Sequence, residues 1–166
     1  MATILDYQNR RFDAAAFRGQ TPSGEVKLGQ SLFDVNSSGE VMTGTAKLAQ
    51  RFTMEFLTEQ GSMPYLPDRG TEFMTEARAG HLLTEQDVIL QFNLAMNDVA
   101  QNLVSEEALY EELLPMQDDE KFESAELTGL ALLGDFLTLT VRVFSIAGDS
   151  REVILPISVL PVDVRV

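Results

Sequence analysis

The chain has 166 residues, with hydrophobic types at 45%, charged types at 23%, and 12 basic against 26 acidic side chains for a net charge of -14. That length supports one substantial core and is short for two, and the charge argues against nucleic acid as a partner, because neutralising phosphate needs a basic face. With no cysteine, disulfides and thiolate metal sites are excluded, so stability must come from packing or assembly.

In chain order, the N-terminus MATILDYQNRRFDAAAF lacks the long apolar core of a signal peptide, and no later apolar run approaches the roughly 18 residues of a membrane span. A soluble protein made in the cytoplasm, without membrane contact, is expected. Residues 1–30 scatter Ile4, Leu5, Tyr7, Phe12 and Phe17 among polar and basic residues, with no sustained period. They read as an N-terminal arm or, equally, as a first strand of the sheet. EVKLGQSLF and GEVMT flank the turn formers Asn36-Ser37-Ser38-Gly39, which predicts a hairpin between Glu25 and Thr43.

A helix is expected from Thr45, as N-cap, to about Gln60, with Leu48, Phe52 and Phe56 at helical spacing and Gly61 after the last turn. Pro64, Pro67 and Gly70 then punctuate Tyr65, Leu66, Asp68 and Arg69, too many fixed or permissive backbone positions for a helix, so a rigid loop follows. Phe73, Met74 and Ala77 mark one side of a short helix that Gly80 ends. Thr84 and Asp87 resemble a capping box, opening a helix whose stripe is Val88 or Ile89, Phe92, Ala95 or Met96, Val99 and Leu103. That helix should reach about Ser105, with an extension possible before Pro115.

Met116 to Lys121 reads as a short acidic loop, after which the period changes to two. Three segments, Ala125 to Leu132, Leu137 to Val143 and Val153 to Val159, are joined at Gly134-Asp135 and Ala147-Gly148-Asp149-Ser150, which predicts an antiparallel meander. Pro156 cannot donate to a ladder, so its strand belongs at an edge. The tail, with Val162, Val164 and Val166, can pair at home or be donated to a neighbouring subunit.

No phosphate loop, nucleophile elbow or metalloprotease motif occurs. With so many acidic residues, pairs such as Glu55 with Glu59, or Asp68 with Glu72, arise by chance, and the first pair reads as a solvated helix face. The single histidine, His81, reads as a surface or loop anchor. The expectation is therefore a non-enzyme without cofactor or metal.

Leu57, Thr58, Gly61, Pro67, Gly70, Thr71 and Phe73, set between an amphipathic helix and a second helix followed by a sheet, resemble the baseplate wedge and sheath-initiator family of contractile tails, also described as lysozyme-like. The likeness spans roughly Thr45 to Val159. The family's Glu-Pro-Arg triplet after the second helix has no counterpart in Leu103 to Glu107, so no docking triplet is carried over.

The resemblance implies a virion protein of the tail baseplate, linking the wedge to the first sheath ring and templating sheath assembly by strand exchange. Its implied partners are the tail sheath protein and baseplate wedge proteins, with tail-tube or hub proteins beyond them. The predicted architecture is α+β: an N-terminal arm (1–30), a domain of two main helices packed on a C-terminal antiparallel sheet (31–160), and an extended tail (161–166). Partner contacts are expected at Tyr65, Asp68 and Arg69 in the loop, and at Val153, Leu155, Ile157, Val159, Val162, Val164 and Val166 in the strand-exchange region. A peptidoglycan-degrading tail enzyme and an interaction module of a secretion apparatus are the alternatives.

Overall fold

The computed structural model describes residues 13–14, 41–111, 115–133 and 136–159. The elements are β1 (Asp13–Ala14), β2 (Val41–Met42), α1 (Gly44–Leu57), α2 (Phe73–Arg78), α3 (Glu85–Glu111), β3 (Phe122–Leu133), β4 (Phe136–Ser145) and β5 (Ser150–Ser158). Helices packed on one face of a three-stranded antiparallel sheet, in the order β3-β4-β5, make the fold α+β as predicted. α1 lies against β4 and β5, while α3 lies against β3 and α1.

Val41 and Met42, the second arm of the expected N-terminal hairpin, pair antiparallel with Ala14 and Asp13. The expected Asn36 to Gly39 turn lies outside the described residues, as do most of the arm and the tail from residue 160.

Alternation along β4 drives the packing. Leu137, Leu139, Val141 and Val143 are buried, as are Val153, Leu155 and Ile157 of β5 opposite them. β3 departs from its predicted alternation. A register shift between Leu127 and Gly129 moves the inward face from Ala125 and Leu127 to Leu130 and Leu132, where Gly129 and Ala131 were expected. An extra residue in one strand of an antiparallel pair has this effect, because the side-chain period is two. The β4–β5 turn is as read, with Gly148 at φ 85° and its N–H on the carbonyl of Ser145. Gly134 and Asp135, between Leu133 and Phe136, lie outside the described residues.

Phenylalanines tie the layers together. Phe56 sits 5.9 Å from Phe52, 4.8 Å from Phe73 and 5.7 Å from Phe92 between ring centroids, and Phe52 stacks on Phe122 at 6.3 Å. α1, α2, α3 and β3 thus meet at one aromatic cluster, each pair adding about 0.5–1.5 kcal/mol beyond its buried area.

α3 has the expected stripe, with Val88 and Ala95 as the buried choices and Met96 half-buried beside them. Its capping box is reciprocal: Thr84 N donates to Asp87 Oδ2 at 2.9 Å, and Asp87 N to Thr84 Oγ1 at 3.2 Å. The helix continues to Glu111, beyond the expected Ser105. α2 buries Phe73 and Ala77 as predicted, and His81 beyond it is exposed and paired with Glu76. No helix among the described residues is long and apolar enough to cross a membrane.

Candidate functional site

The loop after α1 is exposed and internally bonded, and its order starts in the backbone. α1 ends at Leu57, with Thr58 as C-cap, three residues before the predicted stop. Gln60 N then donates to Thr71 O and Thr71 N to Thr58 O, which closes the loop at its base. Thr71 Oγ1 donates to Phe56 O at 2.9 Å. Inside, Gly61 N reaches Pro67 O, and Leu66 N reaches Met63 O. Closely spaced ends and internal bonds define a compact Ω-type loop.

A buried carboxylate locks that base. Glu55, 3% exposed, accepts from Gly70 N at 2.7 Å and Asn102 Nδ2 at 2.7 Å on one oxygen, and pairs with Arg69 at 2.7 Å on the other. Charge-assisted bonds of this length are the strong class. The expectation of a solvated face at Glu55 is therefore overturned: the side chain lies between α1, the loop and α3. Glu59 does stay at the surface, paired with Arg78 and accepting from Thr75 Oγ1. Gly70 is required by geometry, since its φ is 91° and a Cβ would overlap the backbone of Thr58.

Two further groups extend this network inward. Arg51 donates to Glu120 O at 2.9 Å and pairs with Glu107 at 3.2 Å and Glu106 at 3.4 Å. Glu120, in the turn predicted as merely an acidic loop, is 1% exposed. Its Oε1 accepts from Gly44 N at 3.1 Å and its Oε2 pairs with Lys47 at 3.0 Å, so it caps α1 from a distance. The expected Thr45 cap is thereby corrected: the helix begins at Gly44, Thr43 makes no side-chain cap bond, and the acceptor is Glu120. A carboxylate suits a helix N-terminus, where free N–H groups carry positive charge.

Glu107 joins α3 to the sheet, because its Oε1 also accepts from Phe122 N at 2.9 Å. Burial raises its pKa above the ordinary value, against the lowering effects of the Phe122 N–H and of Arg51. Lys121, the residue before Phe122, is held above its ordinary pKa mainly by its bond to Asp118.

Of the predicted loop contacts, Tyr65 is presented outward, at 94% exposure beside exposed Met63 and Leu66. Arg69 is turned in on Glu55 and Glu106. Asp68 is exposed while its carbonyl accepts from Asn102. The loop tip is therefore uncharged from Gly61 to Pro67.

In the strand-exchange region, Val153, Leu155 and Ile157 point into the core and Val159 packs half-buried against it. Those side chains serve this chain's own interior, and what β5 can offer a partner is its backbone. Val162, Val164 and Val166 lie outside the described residues. β5 pairs only with β4 among the described residues, with Pro156 opposite Thr138, the edge position its missing N–H demands.

Asn102, Arg51, Glu106 and Glu120 were not singled out from sequence. Lys47, Arg51 and Glu55 recur every fourth residue beside Leu48, Phe52 and Phe56, a signal that could have marked a second buried stripe. Among the described residues, no group of three or more histidines or carboxylates is arranged to hold a metal ion. No protein-family model matches the chain, and no curated protein matches it.

Proposed function

We propose that this chain is a structural, non-catalytic assembly protein of a contractile tail, linking baseplate wedge proteins to the first ring of tail sheath within the virion. The observation that carries the reading is the position of β5. Among the described residues it is an edge strand, paired with β4 alone, and its inward side chains fix it to the core, which leaves its outer backbone row as the side an added strand would take. Such addition gains main-chain hydrogen bonds without rearranging the acceptor. The latched loop supports the reading with a second, rigid contact surface, and rigidity reduces the ordering cost of binding.

The test is electron microscopy of the protein mixed with its neighbouring tail proteins, combined with amide hydrogen exchange. The protein should occupy the first ring above the baseplate, and β5 amides should gain protection there. Sheath that assembles equally well without the protein, or rings in which β5 exchange is unchanged, would defeat the reading.

A further inference from the structure

The ladder between β4 and β5 fixes which backbone groups of β5 face away from the sheet. Ser145 N donates to Asp149 O at 2.9 Å, which marks a hydrogen-bonded pair, and with an unbroken register every second pair beyond it is of the same kind. Arg151, Val153, Leu155 and Ile157 therefore direct their N–H and C=O groups at β4. Ser150, Glu152 and Ile154 direct theirs outward, as does Pro156, which has a carbonyl and no N–H. The outward row is complete from Ser150 to Ile154 and broken at Pro156.

An antiparallel strand added to that row places its residues opposite Arg151, Val153 and Leu155 in non-hydrogen-bonded pairs, where side chains approach most closely. Val153 and Leu155 are buried and call for apolar neighbours. Arg151 shares their side of the strand by alternation and is half-buried. Lys47, Arg51, Arg69, Arg78, Lys121 and Arg142 each hold a carboxylate, and among the described residues Arg151 is the one lysine or arginine that does not. The adjacent Glu152 lies on the opposite side of the strand and pairs with Arg142 at 3.7 Å. The edge thus presents an unmatched cation in a chain of net charge -14.

We infer that β5, continuing the antiparallel order of its sheet, accepts a strand of another protein that carries on one side two apolar residues, opposite Leu155 and Val153, and then an aspartate or glutamate opposite Arg151. Opposite charges directly across a strand pair favour that register, and a slip of one residue carries the carboxylate to the other face. Pro156 ends the paired stretch, so a segment of about six residues suffices. The inference rests on the reading of β5 as an acceptor edge and adds the chemistry of what it accepts.

The test titrates the isotopically labelled full chain with a synthetic peptide of about seven residues, alternating threonine and valine, with aspartate replacing the valine opposite Arg151. One control peptide has asparagine at that place, and another has the aspartate moved opposite Leu155. Amide hydrogen exchange by NMR reads affinity and location together. At about 0.15 M salt the first peptide should bind about fivefold more tightly than either control and should protect the amides of Glu152 and Ile154. Arg151→Gln should abolish the preference without lowering the melting temperature, and Arg151→Glu should transfer it to a lysine-bearing peptide.

Equal protection of β5 by all three peptides would overturn the inference and leave β5 an acceptor edge, as would a preference that survives Arg151→Gln. No protection by any peptide would overturn both readings. So would amides of Glu152 and Ile154 already protected in the free chain, since the edge would then be sealed by the chain's own segments or by a second copy.

Discussion

The backbone N–H of Gly70 donates to the carboxylate of Glu55 at 2.7 Å, so one buried side chain of α1 sets the path by which the following loop returns. Glu55→Ala leaves that N–H, Asn102 and Arg69 without their shared acceptor. Unfolding in urea should show a loss of about 3–5 kcal/mol, the cost of breaking a buried ion pair from one side. Glu55→Gln retains one acceptor oxygen and should cost less. Limited proteolysis should cut both variants first between residues 61 and 70.

The two glycines of the loop are not equivalent. Gly61 has φ 78° with open space around it, so Gly61→Ala should cost about 1–2 kcal/mol, the strain of a left-handed residue. Gly70→Ala meets the Thr58 backbone as well and should cost clearly more in the same denaturation assay.

Glu120→Ala removes the acceptor from Gly44 and the charge opposite Lys47, and should destabilise by about 3–5 kcal/mol. Combining Glu120→Gln with Lys47→Met, which removes both members of that ion pair, should recover part of that loss. A double-mutant cycle by chemical denaturation measures the coupling.

Glu107 gives a pH dependence with a definite sign. Its pKa is raised in the folded state, so between that value and its ordinary 4.5 the folded chain binds more protons than the unfolded one. This group's contribution to stability therefore rises as pH falls through that window. Relative to Glu107→Gln, the wild type should gain stability as pH is lowered toward 4.5, which denaturation at a series of pH values checks.

Tyr65→Ala with Leu66→Ala should leave stability within about 0.5 kcal/mol, because both side chains are exposed. Co-sedimentation with neighbouring tail proteins should nevertheless weaken. Lost stability would instead make the tip part of the loop's own packing.

The regular parts of the fold were legible because each carried one dominant period. Val88, Phe92, Val99 and Leu103 announced α3, and Thr84 with Asp87 announced its start. β4 read cleanly because one face is wholly buried. β3 did not, because its bulge leaves no composition signature and Leu130 and Leu132 fit either alternation. α1 was half legible: its aromatic stripe was plain, while Glu55 read as solvated and Lys47 and Arg51 drew no reading. Buried charges are recognised by their partners, and those partners, Glu120, Glu106, Glu107 and Asn102, are remote in the chain. The candidate site was legible in part: the turn residues marked a rigid loop, and Pro156 marked β5 as an edge. Nothing local showed that Arg69 faces inward.

α1 is gripped near both ends by carboxylate contacts, Glu120 receiving its first N–H and Glu55 fastening its last turn to the loop. Neither end can fray alone, since loosening the first releases the segment leading into β3 and loosening the second releases the loop and its hold on α3. Opening of this region should therefore be concerted, and the exposed loop, unlike most surface segments, should exchange its base amides only when the whole domain comes apart.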